Sequence, residues 1–268
     1  MSRDSIGNIL RVSLLLCLVC AIGVSLAAVG LKERQDENKR RDQKRNVLVA
    51  TGNYDPEKLD NETVDAEFES NVETHWIDLE TDSEVPVSSL PDGADYDPRS
   101  STNVTVPLPP GTIGVRNRAR YYPIYFIKKD GELDTVVLPI FGNGLWSTMY
   151  GFLALEPDLT TVRGINFYEH GETPGLGGEV DNPFWKANWK GKIAYEDGQP
   201  AINVIKGNVD ESNPNADHQI DGLAGATITA NGVDKMINYW LGDEGFGKYL
   251  EKQRSTQASR EARNEGRK

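Results

Sequence analysis

The sequence predicts an α+β domain carried behind a single N-terminal transmembrane helix. Three observations carry this reading. Val12 to Leu31 forms twenty residues without a charge. From about Tyr121 onward, short β-rich runs alternate with Gly and Pro. Late in the chain, Val233, Met236, Ile237 and Trp240 recur at i, i+3, i+4 and i+7, the spacing of one helix face, and Gly242 follows as a stop signal. Strands and then a helix, without strict alternation, place the domain in the α+β class.

At about 1.5 Å rise per residue, the 12–31 run spans a hydrocarbon core of roughly 30 Å. Ser25-Leu26-Ala27 also satisfies the small-x-small rule of a cleaved signal peptide. A retained anchor is the better reading, because signal h-regions usually run about 7–15 residues. Residues 1–11 form the N-terminal flank. Residues 32–53 read as a charged helical stalk, seven bases mixed with four acids between Lys32 and Arg45. By the positive-inside rule, those bases place the following domain in the cytoplasm.

Residues 54–100 hold fifteen acids against two bases. With few apolar residues to offset ordering entropy, 54–105 is expected to be a partly mobile acidic insertion. The globular domain is expected over 106–250. Its strands are 122–128, 134–140, 159–168 and 201–205. The last eighteen residues, 251–268, mix charge with small polar types and read as a frayed tail.

The formal charge of −12 argues against a nucleic-acid partner. Both cysteines, Cys17 and Cys20, sit in the apolar run, so the rest of the chain has no disulfide framework, thiolate zinc site or cysteine nucleophile. Three histidines without HExxH or GxSxG motifs leave little basis for zinc protease or serine hydrolase chemistry, and no metal site is expected.

Three Gly-rich segments remain: 141–149, 170–179 and 221–229. Each alone reads as a turn requiring positive φ. The third leads directly into the late helix, where backbone N–H groups and the positive dipole end favour an anion, which suits a phosphate. An equal alternative is that Thr227 or Thr229 caps the helix.

The stretch Asp221-Gly-Leu-Ala-Gly225-Ala226-Thr227 resembles the flavinylation signature Asp-Gly-x-Ser-Gly-Ala-Thr of FMN-binding domains, with Ala224 in place of the usual Ser. The wider text is similar to the NqrC family of the Na+-translocating NADH:quinone reductase. The matching stretches are 144–151, 171–178 (Gly-Glu-Thr-Pro-Gly-Leu-Gly-Gly), 204–207 (Val-Ile-Lys-Gly), 240–247 and the anchor itself. This resemblance implies covalent FMN on Thr227 through a phosphoester, attached by a flavin transferase outside the cytoplasm. It implies a place among the other subunits of a six-subunit complex in the bacterial inner membrane. There the chain would carry single electrons from an iron centre to the flavin of NqrB, with no catalytic residue of its own. The family places the domain on the periplasmic side, against the charge count; long domains translocate largely regardless of flanking charge.

By the same resemblance, Glu172, Thr173, Leu176, Gly177 and Gly178 lie against the flavin. Lys206 would balance negative charge on the reduced ring or the phosphodiester. Asp221 positions the loop, and Trp146 is either a stacking residue or, preferably, core. Two other readings compete: an FMN subunit of an Rnf-type or other membrane redox complex, and a membrane-anchored binding module without cofactor.

Overall fold

The computed structural model describes residues 6–55, 58–100 and 104–265. Two compact units divide the chain, one ending at Lys44 and the other beginning at Arg45. Helix α1 (Ile6–Ala50) contains the whole 12–31 run and continues through the expected stalk. Along the run Leu14, Leu15, Leu18, Ile22 and Val29 are all more than half exposed. A helix that exposes a long apolar surface on every side is suited to lipid.

The last turn of α1 belongs to the second unit and is buried. Val47, Leu48 and Ala50 are at most 1% exposed. Its end is closed by the Thr51 hydroxyl on Leu48 O (2.7 Å) and by Gly52 at φ +73°.

The centre of the second unit is a six-stranded antiparallel sheet. Its strands are β1 (Val72–Asp78), β2 (Ser83–Val85), β3 (Tyr121–Lys129), β4 (Glu132–Asn143), β5 (Thr148–Leu155) and β6 (Val162–Glu169), in the spatial order β2-β1-β3-β4-β5-β6. The β3–β4 hairpin closes on Asp130 (φ +53°) and Gly131 (φ +83°), the pair of positive φ values that a two-residue turn demands.

Period-two alternation assigns the faces. Ile124, Val136, Leu138, Leu153 and Leu155 point to one side, where α4 (Thr227–Leu241) brings Val233, Met236, Ile237 and Trp240, all fully buried. Tyr125, Ile127, Val137, Phe152 and Ala154 point to the other, covered by Val47 and Ala50 of α1 and by Phe68 of α2 (Asn61–Asn71). A five-residue helix, α3 (Pro183–Ala187), and a long final helix, α5 (Gly247–Glu265), complete the set.

Three expectations change. The acidic stretch, in its described residues, is no mobile insertion: it supplies α2, β1 and β2, and β1 pairs with β3 along its full length. Two acids of β1 meet bases from β3 and the residue before it, Glu73 with Lys128 (2.7 Å) and the buried Asp78 with both arms of Arg120 (2.8 and 2.6 Å). Residues 251–265 are no frayed tail either. They continue α5, held by Arg254, which donates to Leu159 O (3.1 Å) and lies 4.3 Å over the Tyr195 ring. Finally, 148–155 forms a strand, β5, that opens inside a Gly-rich segment, and the expected 201–205 strand shrinks to Asn203–Val204, paired parallel with Gln219–Ile220.

Candidate functional site

The Gly-rich segments meet at one carboxylate. Between β4 and β5 the chain turns through Gly144-Leu145-Trp146-Ser147, closed by Gly144 N–H on Ser147 O (2.9 Å). The N–H groups of Leu145, Trp146 and Ser147 donate to Glu172, at 3.2, 2.9 and 3.4 Å. The Thr229 hydroxyl in the first turn of α4 donates to the same carboxylate at 2.5 Å. Burial pushes the Glu172 carboxyl up, but these donors outweigh it and hold it below the ordinary carboxylate range.

Glycine is required twice in this arrangement. A Cβ on Gly144 would lie 2.5 Å from Glu172 Oε1. One on Gly177 would lie 2.6 Å from Thr229 Oγ1 and 2.7 Å from Glu172 Oε2. The backbone N–H of Glu172 donates to His170 Nδ1 (3.2 Å), so His170 carries its proton on Nε2 and donates it to Asp181 (2.7 Å).

Above this buried centre lies an exposed rim. Thr227 opens α4 and is exposed, whereas Thr229 is 1% exposed. The residue at the N-cap is Ala226, which has no side-chain acceptor for the first amides of the helix. Neither threonine therefore caps the helix. Gly225 before it has φ +69°, and Leu176 packs against that glycine's open side. Leu145, Trp146, Leu176 and Ile228, drawn from two loops and the helix start, are between 43% and 69% exposed, large apolar groups on the segments that surround a polar helix end.

Several assignments shift accordingly. Glu172 turns inward and is 5% exposed, so its carboxylate sits under the rim. Trp146 is 69% exposed and is not core; only its backbone is fixed. Thr173 contributes its carbonyl, accepting from Leu176 N (3.1 Å) and Gly178 N (2.9 Å), which shapes the loop. Asp221 anchors its own turn, accepting from Val209 N (2.7 Å) and Asn188 Nδ2 (3.1 Å). Lys206 is exposed beside that turn, where Gly222 donates to Gly207 O (2.8 Å), and is not drawn into the Glu172 centre. Thr229 was offered only as a helix cap, and Gly144 and His170 only as members of Gly-rich segments; their roles around Glu172 arise from contacts that the fold makes.

Residues 144–242 match the FMN-binding domain family. At full length, the chain is 44% identical over 262 residues to NqrC of Pseudomonas aeruginosa, the C subunit of its Na(+)-translocating NADH-quinone reductase, covering 96% of this chain and 99% of that one. The chain belongs to the NqrC family. The corresponding Yersinia pestis protein is 43% identical, covering 94% of this chain and 95% of its own. The crystal structure of Shewanella oneidensis NqrC superposes with a TM-score of 0.71 at 34% identity, over 81% of this chain and 99% of that one.

Membership of the NqrC family fits the α+β domain behind one apolar helix. The domain match opens at Gly144, the glycine under the Glu172 carboxylate, so both partners of that contact lie inside it, together with Thr227 and Thr229. Strands β1 to β4 precede it, so two-thirds of the central sheet is contributed by chain outside the matched domain.

Proposed function

We propose that the chain is the electron-carrying flavoprotein subunit of a membrane Na+-translocating NADH:quinone reductase, with FMN joined to Thr227 by a phosphoester. One observation carries the placement: an exposed threonine hydroxyl at a helix start whose N-cap, Ala226, leaves the first amides without a side-chain partner. Those amides and the helix dipole favour the charge of a phosphodiester. The exposed Leu145, Trp146, Leu176 and Ile228 fit an aromatic ring system, which would remove them from water. FMN, when bound, accepts and releases electrons singly, which suits passage from an iron centre to the flavin of NqrB.

In this reading Thr227 is a tether and performs no catalysis. Gly225 gives the backbone room to approach the ring, and Lys206 offers an exposed positive charge near the turn that precedes the tether. The domain faces the periplasm, where a covalent bond retains the cofactor and a flavin transferase forms it. The anchor, α1, has no ionisable residue between Val12 and Leu31 that could bind a cation within the bilayer, its two thiols aside, so Na+ movement is assigned to the other subunits.

The test is a denaturing gel under ultraviolet light after co-expression with a flavin transferase. A fluorescent band that disappears in Thr227→Ala, and persists in Thr229→Val, supports the reading. No band in the unmodified chain refutes it.

A further inference from the structure

We propose that Glu172 is a positioning residue whose negative charge, fixed beneath the rim, holds the reduction potential of a flavin at Thr227 below the value it would otherwise take. The inference rests on the flavin reading above, and it differs from a ring contact, because Glu172 does not reach the surface.

Successive N–H groups of residues 145–147 form a concave nest of the kind that binds anions. The protein fills this nest with its own carboxylate. Thr229 adds a fourth donor, and no ion pair involves Glu172 among the described residues, so its charge is bound by dipoles and left uncancelled. Keeping it there takes two glycines, at 144 and 177, and a buried threonine. A purely packing role would be met more simply by an apolar side chain, since buried charges are costly to hold.

The location gives the charge an electrical role. Thr229 is two residues beyond Thr227, inside one helical turn of about 5.4 Å. A buried charge is only weakly screened by salt. Adding an electron to a nearby ring places like charges together, which opposes reduction. The amides at the start of α4, which Ala226 leaves without a side-chain cap, act in the opposite sense, so the potential reflects a balance between the helix end and this carboxylate.

Glu172→Gln tests the idea, because the amide is nearly isosteric. Its oxygen can accept from residues 145–147, and its NH2 can donate to a reoriented Thr229 hydroxyl. The flavinylated full chain is titrated spectroelectrochemically beside the unmodified chain and Thr229→Val. The expected result is a shift of the midpoint potentials to more positive values in Glu172→Gln that persists at high salt. Thr229→Val keeps the charge and is expected to lose stability with a much smaller shift. Unchanged potentials in a flavinylated Glu172→Gln overturn the inference while leaving the tether intact; absence of flavin on Thr227 in the unmodified chain overturns both.

If Glu172→Gln does not fold, reduced-minus-oxidised infrared spectra of the unmodified chain decide, with and without 13C-glutamate. An ionised glutamate band that moves on reduction supports the proposal. A protonated glutamic acid band, or no glutamate band, overturns it.

Discussion

Gly177→Ala isolates the buried centre from everything around it. The added Cβ would lie 2.6 Å from Thr229 Oγ1 and 2.7 Å from Glu172 Oε2, where ordinary contact begins at 3.4 Å. Neither atom can retreat freely. The two are hydrogen-bonded to each other at 2.5 Å, and the carboxylate is held by the 145–147 amides. Relief therefore loosens a charged hydrogen bond, worth about 1.5–3 kcal/mol, or strains the backbone by a similar overpacking cost of about 1–3 kcal/mol. A loss of about 3 kcal/mol follows, which in a domain of this size lowers the melting temperature by about 6–12 °C.

Gly178→Ala is the internal control. Its Cβ would meet Thr173 O at 3.1 Å, a contact that a small loop shift relieves, and it does not approach Glu172's carboxylate. A fall below about 1 kcal/mol is expected. Both variants are compared as full chains in detergent by circular dichroism melting. Equal melting temperatures for Gly177→Ala and the unmodified chain would refute the account of the centre; equal falls in both variants would refute its assignment to the Glu172–Thr229 contact.

Two further outcomes follow from the fold. Asp78 is buried, and burial pushes its carboxyl up, but the two-armed contact with Arg120 and the Glu80 N–H leave it below its ordinary value of 3.8. Its stabilisation is thus present above that value and lost as the pH falls through the lowered one. Asp78→Asn is expected to cost about 2 kcal/mol at pH 7, since Arg120 is part exposed and keeps Glu80, and the difference should shrink on acidification in melting curves. Trp240→Ala removes a fully buried ring that donates to Phe141 O (2.8 Å) and packs against Tyr122, Phe141 and Phe246, and should cost about 3–5 kcal/mol in chemical unfolding; a loss under about 1 kcal/mol would mean the α4–sheet contact is not the core.

The anchor, the α4 helix, the strands of the β3–β4 hairpin and the Thr227 position were legible because each is a local pattern. An uncharged run, a 3.6-residue period, β-rich runs broken at Gly and a helix-opening threonine depend on neighbours within a few residues. Strand β1 was not legible for the opposite reason. Its acids raise the local charge count, and only the fold brings Lys128 and Arg120 against Glu73 and Asp78. Helix α5 was hidden likewise: Tyr249 donates to Glu84 (2.6 Å) and Arg254 reaches Leu159, partners far away in the chain.

By itself, the sequence determined that an apolar helix precedes an α+β domain and that a threonine opens its late helix. Tertiary structure decided which threonine is free and which is spent on a buried carboxylate, since Thr227 and Thr229 differ only in the direction the helix turns them. It also decided that Glu172 faces inward, because a carboxylate's surroundings depend on donors that the chain brings together from 145–147 and 229 only when the sheet and α4 have packed.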